Sequence, residues 1–377
     1  MRNIMSWIKV FFINISLTFC LLGMLLMAPP LLYSLYSLVA GGGANNTSSD
    51  ERSQLTLYEE VPWAERHFIE SGELQTTYYD FISWRRNDYV GETVNIVDGV
   101  RNTIGPQVQD DQSTQYYFFG GSTTWGTGVN DDNTYPSLFA QLTNSKVVNL
   151  GETGYIARQS LAYLNNLIIN ESIVDMSGKH VMFYDGVNDV VNRCRAEISR
   201  LGTGRESQIQ NVVSSSKYSY EKYSFLATFK QLVEFASAVA QKLGWVPSKI
   251  ITDSFYSCSS NPERAQEIAR TLVDTWQAAS DLVEQRGGKF TAVLQPVAYI
   301  GSPVTNYLDL TSENHKSLAA QYHSVYPLIQ EIAERRNIDF VDLTYVYNGC
   351  DYCYIDFCHV GPQAHQILVS NLVQHIP

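Results

Sequence analysis

Hydrophobic and polar positions along this chain fall into three regimes. Between Lys9 and Asp50 no charged residue occurs, and Val10 to Ala28 is almost wholly apolar, a run long enough to cross a bilayer. From Leu55 to Gln112 the chain is acidic and aromatic, and Asp98-Gly99 between the β-prone runs Thr93–Val97 and Val100–Ile104 predicts a tight hairpin. From Gln115 onward short apolar runs alternate with longer stretches that mix apolar and polar residues at helical intervals. That alternation predicts strands at Tyr116–Phe119, Lys146–Leu150, His180–Tyr184, Phe290–Gln295 and Asp339–Leu343. It predicts helices at Tyr135–Leu142, Arg158–Ile169, Pro262–Glu284, Ser312–Arg335 and Pro362–Gln374. Leu201 to Lys222, rich in Ser, Gln and Tyr, reads as an insertion followed by a helix over Tyr223–Leu243. Strands separated by helices build a parallel sheet, so the expected fold is a three-layer α/β/α, doubly wound sheet of five parallel strands.

The apolar N-terminal run is longer than the hydrophobic region of a signal peptide and lacks a convincing small-x-small cleavage site, so an uncleaved transmembrane helix is expected. Arg2 and Lys9 precede it and no basic residue follows until Arg52, which places the N-terminus in the cytoplasm and the remainder in the periplasm or outside the cell. Pro29 and Pro30 end the helix, and Gly41-Gly42-Gly43 begins a flexible tether. The resulting division is 1–40 stub and anchor, 41–54 linker, 55–112 an extension that docks on the core, and 113–377 the main domain.

Composition adds little beyond exclusions. With 377 residues, 45% hydrophobic and 17% charged, the chain buries a large core, and a formal charge of −12 without basic clusters argues against a nucleic-acid partner. Of six cysteines, Cys20 lies in the anchor; Cys194, Cys258, Cys350, Cys353 and Cys358 face an oxidising compartment, an odd number whose pairing spacing alone does not give. The Cys350-x-x-Cys353-x4-Cys358-His359 run lacks a second ligand cluster, so no metal and no cofactor are expected.

Parallel sheets place ligand sites at the carboxyl ends of their strands, and four such ends here carry unusual residues. The first is Gly120-Gly121-Ser122-Thr123-Thr124-Trp125-Gly126, a glycine turn that can present Ser122. The second, Asn149-Leu150-Gly151-Glu152-Thr153-Gly154-Tyr155, offers the Gly151 N–H to a developing negative charge. The third, Tyr184-Asp185-Gly186-Val187-Asn188-Asp189, adds the Asn188 side chain; Asp189 can cap the following helix and leave Asn188 free. The fourth is Asp356-Phe357-Cys358-His359, whose spacing in a helical turn sets carboxylate and imidazole on one face, so that Asp356 orients a base, His359, for the serine proton.

In this order the four pieces resemble the blocks of the SGNH (GDSL-like) hydrolases, built around a Ser, a Gly, a Gly-x-Asn-Asp and an Asp-x-x-His, over Gln115 to Gln374. The resemblance implies a flavodoxin-like SGNH fold, with Ser122, His359 and Asp356 as the triad and the Ser122 and Gly151 amides and Asn188 as the oxyanion hole. Arg85-Arg86, Gly91-Glu92 and Gly99-Val100-Arg101 look like the extension of some exported bacterial members. Gly121 departs from the family's Asp. Expected is an acyl-enzyme serine esterase that removes O-acetyl or other acyl groups from an envelope or exported carbohydrate. Two alternatives stay open: an O-acyltransferase on glycans, and a non-catalytic assembly protein with envelope-complex partners.

Overall fold

The computed structural model describes residues 50–105, 114–196 except 171 and 174, 198, 202 and 256–376, with 7 and 11–18 near the N-terminus. The chain divides into two compact units, and residues 48–205 with 254–377 form the one considered below. The insertion expected at Leu201–Lys222, the helix at Tyr223–Leu243 and most of the expected anchor lie outside the described residues. Among the described residues no helix is long and apolar enough to cross a membrane.

The strands run β1 (Thr76–Tyr79), β2 (Ser83–Arg86), β3 (Tyr89–Val90), β4 (Asn95–Val97), β5 (Val100–Arg101), β6 (Gln115–Gly120), β7 (Lys146–Asn149), β8 (Lys179–Asp185), β9 (Lys289–Leu294) and β10 (Phe340–Asp342). The helices are α1 (Ala64–Glu73), α2 (Ser122–Trp125), α3 (Tyr135–Thr143), α4 (Ala157–Ile169), α5 (Val187–Arg193), α6 (Pro262–Glu284), α7 (Glu313–Arg336) and α8 (Pro362–Leu372). The five expected strands form, all parallel, in the order β7-β6-β8-β9-β10. This order has its switch point between β6 and β8, where ligands bind in open α/β sheets.

The sheet is larger and less uniform than expected, however. It has eight strands and is mixed, because β5, β4 and β3 continue it beyond β7 in antiparallel pairing. The cause is the Asp98-Gly99 turn: both residues take positive φ, 52° and 71°, the conformation of a two-residue hairpin loop, so β4 and β5 fold back and Arg101 pairs with Asn149 of β7. The remaining pair, β1 and β2, forms a separate antiparallel ribbon.

Two apolar clusters cover the parallel strands, because β8 and β9 are buried on both faces. Phe119, Phe183 and Phe290 meet Trp276 and Leu272 of α6 and Tyr322 of α7 in one cluster. Tyr116, Phe118 and Tyr184 meet Tyr135 and Phe139 of α3 and Leu368 of α8 in the other. A third, smaller cluster joins Tyr58 and Phe68 to Ile355, tying the N-terminal segment to the loop before α8.

Candidate active site

The chain leaves β6 through two glycines and enters α2 at Ser122. Gly120 has φ +151°, and a Cβ there would lie 2.3 Å from Thr124 Oγ1 and 2.4 Å from Tyr184 O, so only glycine fits. Ser122 is the first residue of α2, where the N–H has no acceptor within the helix. One turn later Gly126, at φ +102°, closes the helix by donating to Ser122 O at 2.9 Å.

That short helix is held from behind by Arg101. Its guanidinium donates to Trp125 O (2.9 Å), Gly126 O (2.7 Å), Val129 O (2.7 Å) and Asp131 Oδ1 (2.9 Å), and it stacks 4.4 Å from the Trp125 ring. The extension therefore supplies the cation that takes up the carbonyls at the C-terminal end of the serine helix.

His359 lies on the loop preceding α8. Its Nε2 is 2.6 Å from Ser122 Oγ, and its Nδ1 is 2.6 Å from Asp356 Oδ2. The Asp356–His359 pair does not sit on a helical turn, as the spacing predicts. Residues 356–359 form a bend closed by the Tyr354–Val360 bridge and by Ile355 N–H donating to His359 O at 2.9 Å. The carboxylate itself shapes the bend: Asp356 Oδ1 accepts from the N–H groups of Cys358 (2.9 Å) and His359 (2.8 Å). Burial pushes the Asp356 pKa up, but the adjacent His359 charge and hydrogen bond, with those two N–H groups, outweigh it and hold the carboxyl well below the usual range.

Asn188, in the first turn of α5, donates from Nδ2 to Tyr155 O at 2.8 Å, which uses one of its two amide hydrogens. Asp189 is engaged elsewhere: Oδ2 accepts from Ala157 N–H, and the carboxylate pairs with Arg193 at 3.0 Å. The Gly121 departure finds its reason here, since a Cβ at 121 would lie 2.4 Å from Asn188 Nδ2.

Gly151 is placed differently from expectation. Its N–H donates to Asn149 Oδ1 at 3.1 Å, and a Cβ would meet Trp125 N at 2.5 Å, so the residue admits the close approach of α2 instead of offering a free donor. Three residues on, Gly154 has φ +79°, and among the described residues nothing accepts from its N–H. It directly precedes Tyr155, whose carbonyl holds Asn188, so it is the better candidate for the third donor. Gly151-x-x-Gly154 carries both glycines in the sequence, and the expectation falls on the first. The missing signal was the left-handed turn.

Of the cysteines, Cys194 pairs with Cys258 and Cys350 with Cys353, while Cys358 is free and buried. Burial, then the neighbouring Asp356 charge, pushes the Cys358 thiol well above its ordinary pKa, so it is a poor nucleophile beside the triad. Asp356, Cys358 and His359 offer ligand atoms within 4.8 Å of one another, but Asp356 and His359 are hydrogen-bonded to each other and His359 also to Ser122.

Serine, imidazole and carboxylate thus stand in one hydrogen-bonded row at the switch point of the sheet, with an amide side chain close by. These are the positions at which the sequence resembles the SGNH hydrolases. No protein-family profile matches the chain, and no curated protein does. Among solved structures it is similar to a member of the lipolytic G-D-S-L family from Veillonella parvula, at 11% identity and TM-score 0.40, over 70% of this chain and 97% of that one. A lipolytic protein of the same family from Desulfitobacterium hafniense aligns at 11% identity and TM-score 0.38, over 70% and 100% of the two chains. A catalytic mutant of an acetylxylan esterase from Geobacillus stearothermophilus aligns at 15% identity and TM-score 0.36, over 73% and 96%.

Proposed function

We propose that this chain is a serine esterase of the SGNH type, acting on acyl groups carried by a carbohydrate outside the cytoplasm. The observation that supports it most is the unbroken row Ser122 Oγ, His359 Nε2, His359 Nδ1, Asp356 Oδ2, with 2.6 Å at each hydrogen bond. In this reading His359 takes the Ser122 proton as Oγ attacks the ester carbonyl, and the ionised Asp356 stabilises the imidazolium. The imidazolium then protonates the leaving alcohol, leaving an acyl-serine. Water, deprotonated by His359, attacks that ester; the acid departs and Ser122 recovers its proton.

The oxyanion of each tetrahedral intermediate is met by the Ser122 N–H, the second hydrogen of the Asn188 amide and the Gly154 N–H. Each such donor is worth roughly 10²–10³ in rate. The anchor expected over Val10–Ala28, with the charge pattern that orients it, puts this chemistry on the outer side of the membrane and favours an envelope or exported polymer as substrate.

Acetate release from acetylated polysaccharides by the purified full-length chain tests the proposal, with Ser122→Ala and His359→Ala alongside. Release by the wild type alone supports it. Equal release by all three proteins rejects this assignment of residues.

A further inference from the structure

Beyond the N-terminal apolar run, large apolar side chains gather in solvent at the tip of the β1–β2 ribbon. There Phe81 is 90% and Tyr78 67% exposed, and Ile169 at the end of α4 is 72% exposed. Together with Tyr79, Asn165 and Asn166 they line a hollow of about 660 Å³. A cluster of this kind marks a binding surface, since single exposed apolar residues are ordinary but contiguous ones are not.

The tip is built to present these rings. Phe81 and Ser83 both have positive φ, 63° and 94°, a conformation that a bulky aromatic residue rarely adopts and that strains the backbone. Asn166 Nδ2 donates to Asp80 O at 3.2 Å, so the strained turn is tied to α4.

The lining alternates aromatic rings with side-chain amides, Asn165, Asn166 and Asn170. Ring faces pack against the C–H faces of sugars, and amides both donate to and accept from hydroxyls. Its only charged residue is Asp80, and no Lys or Arg lines it, which fits a neutral glycan and disfavours phosphate headgroups or an anionic membrane surface.

The β1–β2 ribbon and α4 both run from this hollow to the catalytic edge. At the base of the same ribbon Trp84 Nε1 donates to Thr153 O at 3.2 Å, and the Trp84 ring lies 3.5 Å from the Cβ position of Gly154. Trp84 and Phe81 are three residues apart, a reach of at most about 10 Å, and along α4 from Ala157 to Asn166 the rise is about 14 Å. A short oligosaccharide covers such a distance.

We propose that this hollow is a remote subsite for an uncharged polysaccharide, holding the chain whose acylated unit lies at Ser122. The assignment rests on the esterase reading for its connection to Ser122, but the binding itself can be measured separately. Two assays on the full-length chain, wild type against Tyr78→Ala/Phe81→Ala, separate the two. Both side chains are exposed, so the fold is retained.

Two stacking contacts are worth about tenfold or more together, so kcat/KM on acetylated xylan or acetylated glucomannan is expected to fall at least about tenfold, through KM. Turnover of p-nitrophenyl acetate stays within about twofold, and Phe81→Tyr retains polymer activity. Unchanged polymer kinetics in the double variant overturn the subsite. So does wild-type turnover of p-nitrophenyl acetate with neither polymer bound nor cleaved, while leaving the esterase reading intact. If wild type hydrolyses nothing, the esterase reading fails, and retention of the two polymers on affinity electrophoresis, lost in the double variant, still establishes the subsite. Binding to phosphatidylcholine vesicles that disappears in the double variant, without polymer retention, assigns the hollow to lipid and refutes the proposal.

Discussion

Arg52 Nη1 lies 3.4 Å from Asp356 Oδ2, the same oxygen that accepts the hydrogen bond from His359 Nδ1. Arg52 is itself anchored by Asp50, which accepts from its Nε and Nη2 at 3.0 and 2.7 Å, and its guanidinium lies 5.2 Å from the Phe68 ring. A residue near the end of the expected linker therefore touches the Asp356 carboxylate. Both side chains are about one-third exposed, so screening limits the interaction to about 1 kcal/mol or less. Arg52→Gln is expected to change kcat/KM by no more than about fivefold. The difference from wild type should shrink at high salt, which steady-state kinetics at two ionic strengths will show.

Gly121 and Asn188 compete for one space. Gly121→Ala, and Gly121→Asp equally, should push the Asn188 amide off the position it holds against Tyr155 O. Loss of one oxyanion donor predicts a fall in kcat of roughly 10²–10³. The melting temperature should change little, because the Asn188 amide is a movable side-chain end. Restored activity in Gly121→Asp would show that the glycine is not what makes room for the amide.

Arg101 is wholly buried, with its guanidinium bonded to three carbonyls and Asp131. Arg101→Leu removes four hydrogen bonds and the counter-ion of the buried Asp131, which keeps only its bonds from Asn95, a loss of about 3–5 kcal/mol. Urea denaturation measures it, and Arg101→Leu/Asp131→Leu should be less destabilised than the two single losses added.

These relationships mark what the sequence could and could not disclose. Apolar runs of the right length gave all five parallel strands and the long helices α6 and α7 within a residue or two, because burial on both faces leaves a pattern that neighbours cannot disguise. Ser122 and Asn188 were legible because each opens a helix directly after a strand, and Asp356 and His359 through their Asp-x-x-His spacing on the loop before α8. The Asp98-Gly99 turn was legible too, but the sheet it extends was not, since β5 joins β7 through the single register pair Arg101–Asn149. Nothing local in the sequence says that Arg101 reaches the serine helix, that the Asp356 bend is closed by its own carboxylate, or that the Gly151 N–H is occupied while, among the described residues, nothing accepts from that of Gly154. Each depends on residues distant in the chain or on the sign of a backbone angle.

Three buried histidines, His67, His180 and His365, set the acid side of stability, and burial holds the first well below its ordinary pKa. Burial pushes His180 down to about 4 and His365 down to about 3, so both are neutral in the folded chain at neutral pH. Unfolded, each gains a proton below about 6.5. The unfolded state therefore binds more protons between that value and the folded ones, and stability, full above about 6.5, falls as pH drops through this window. The slope is about 1.4 kcal/mol per pH unit for each histidine. His365 stacks on Tyr135 at 6.1 Å with neither ring nitrogen bonded, so His365→Phe should fold and lose one proton's share of that slope in urea titrations between pH 7 and pH 5.

The central claim is that Ser122 is the nucleophile activated by His359, and covalent labelling by a fluorophosphonate probe, located by peptide mass spectrometry on the full-length chain, tests it most directly. A single adduct on Ser122 is expected, absent in Ser122→Ala and slowed by at least about a hundredfold in His359→Ala. An unlabelled wild type, or a label that persists in Ser122→Ala, would contradict it.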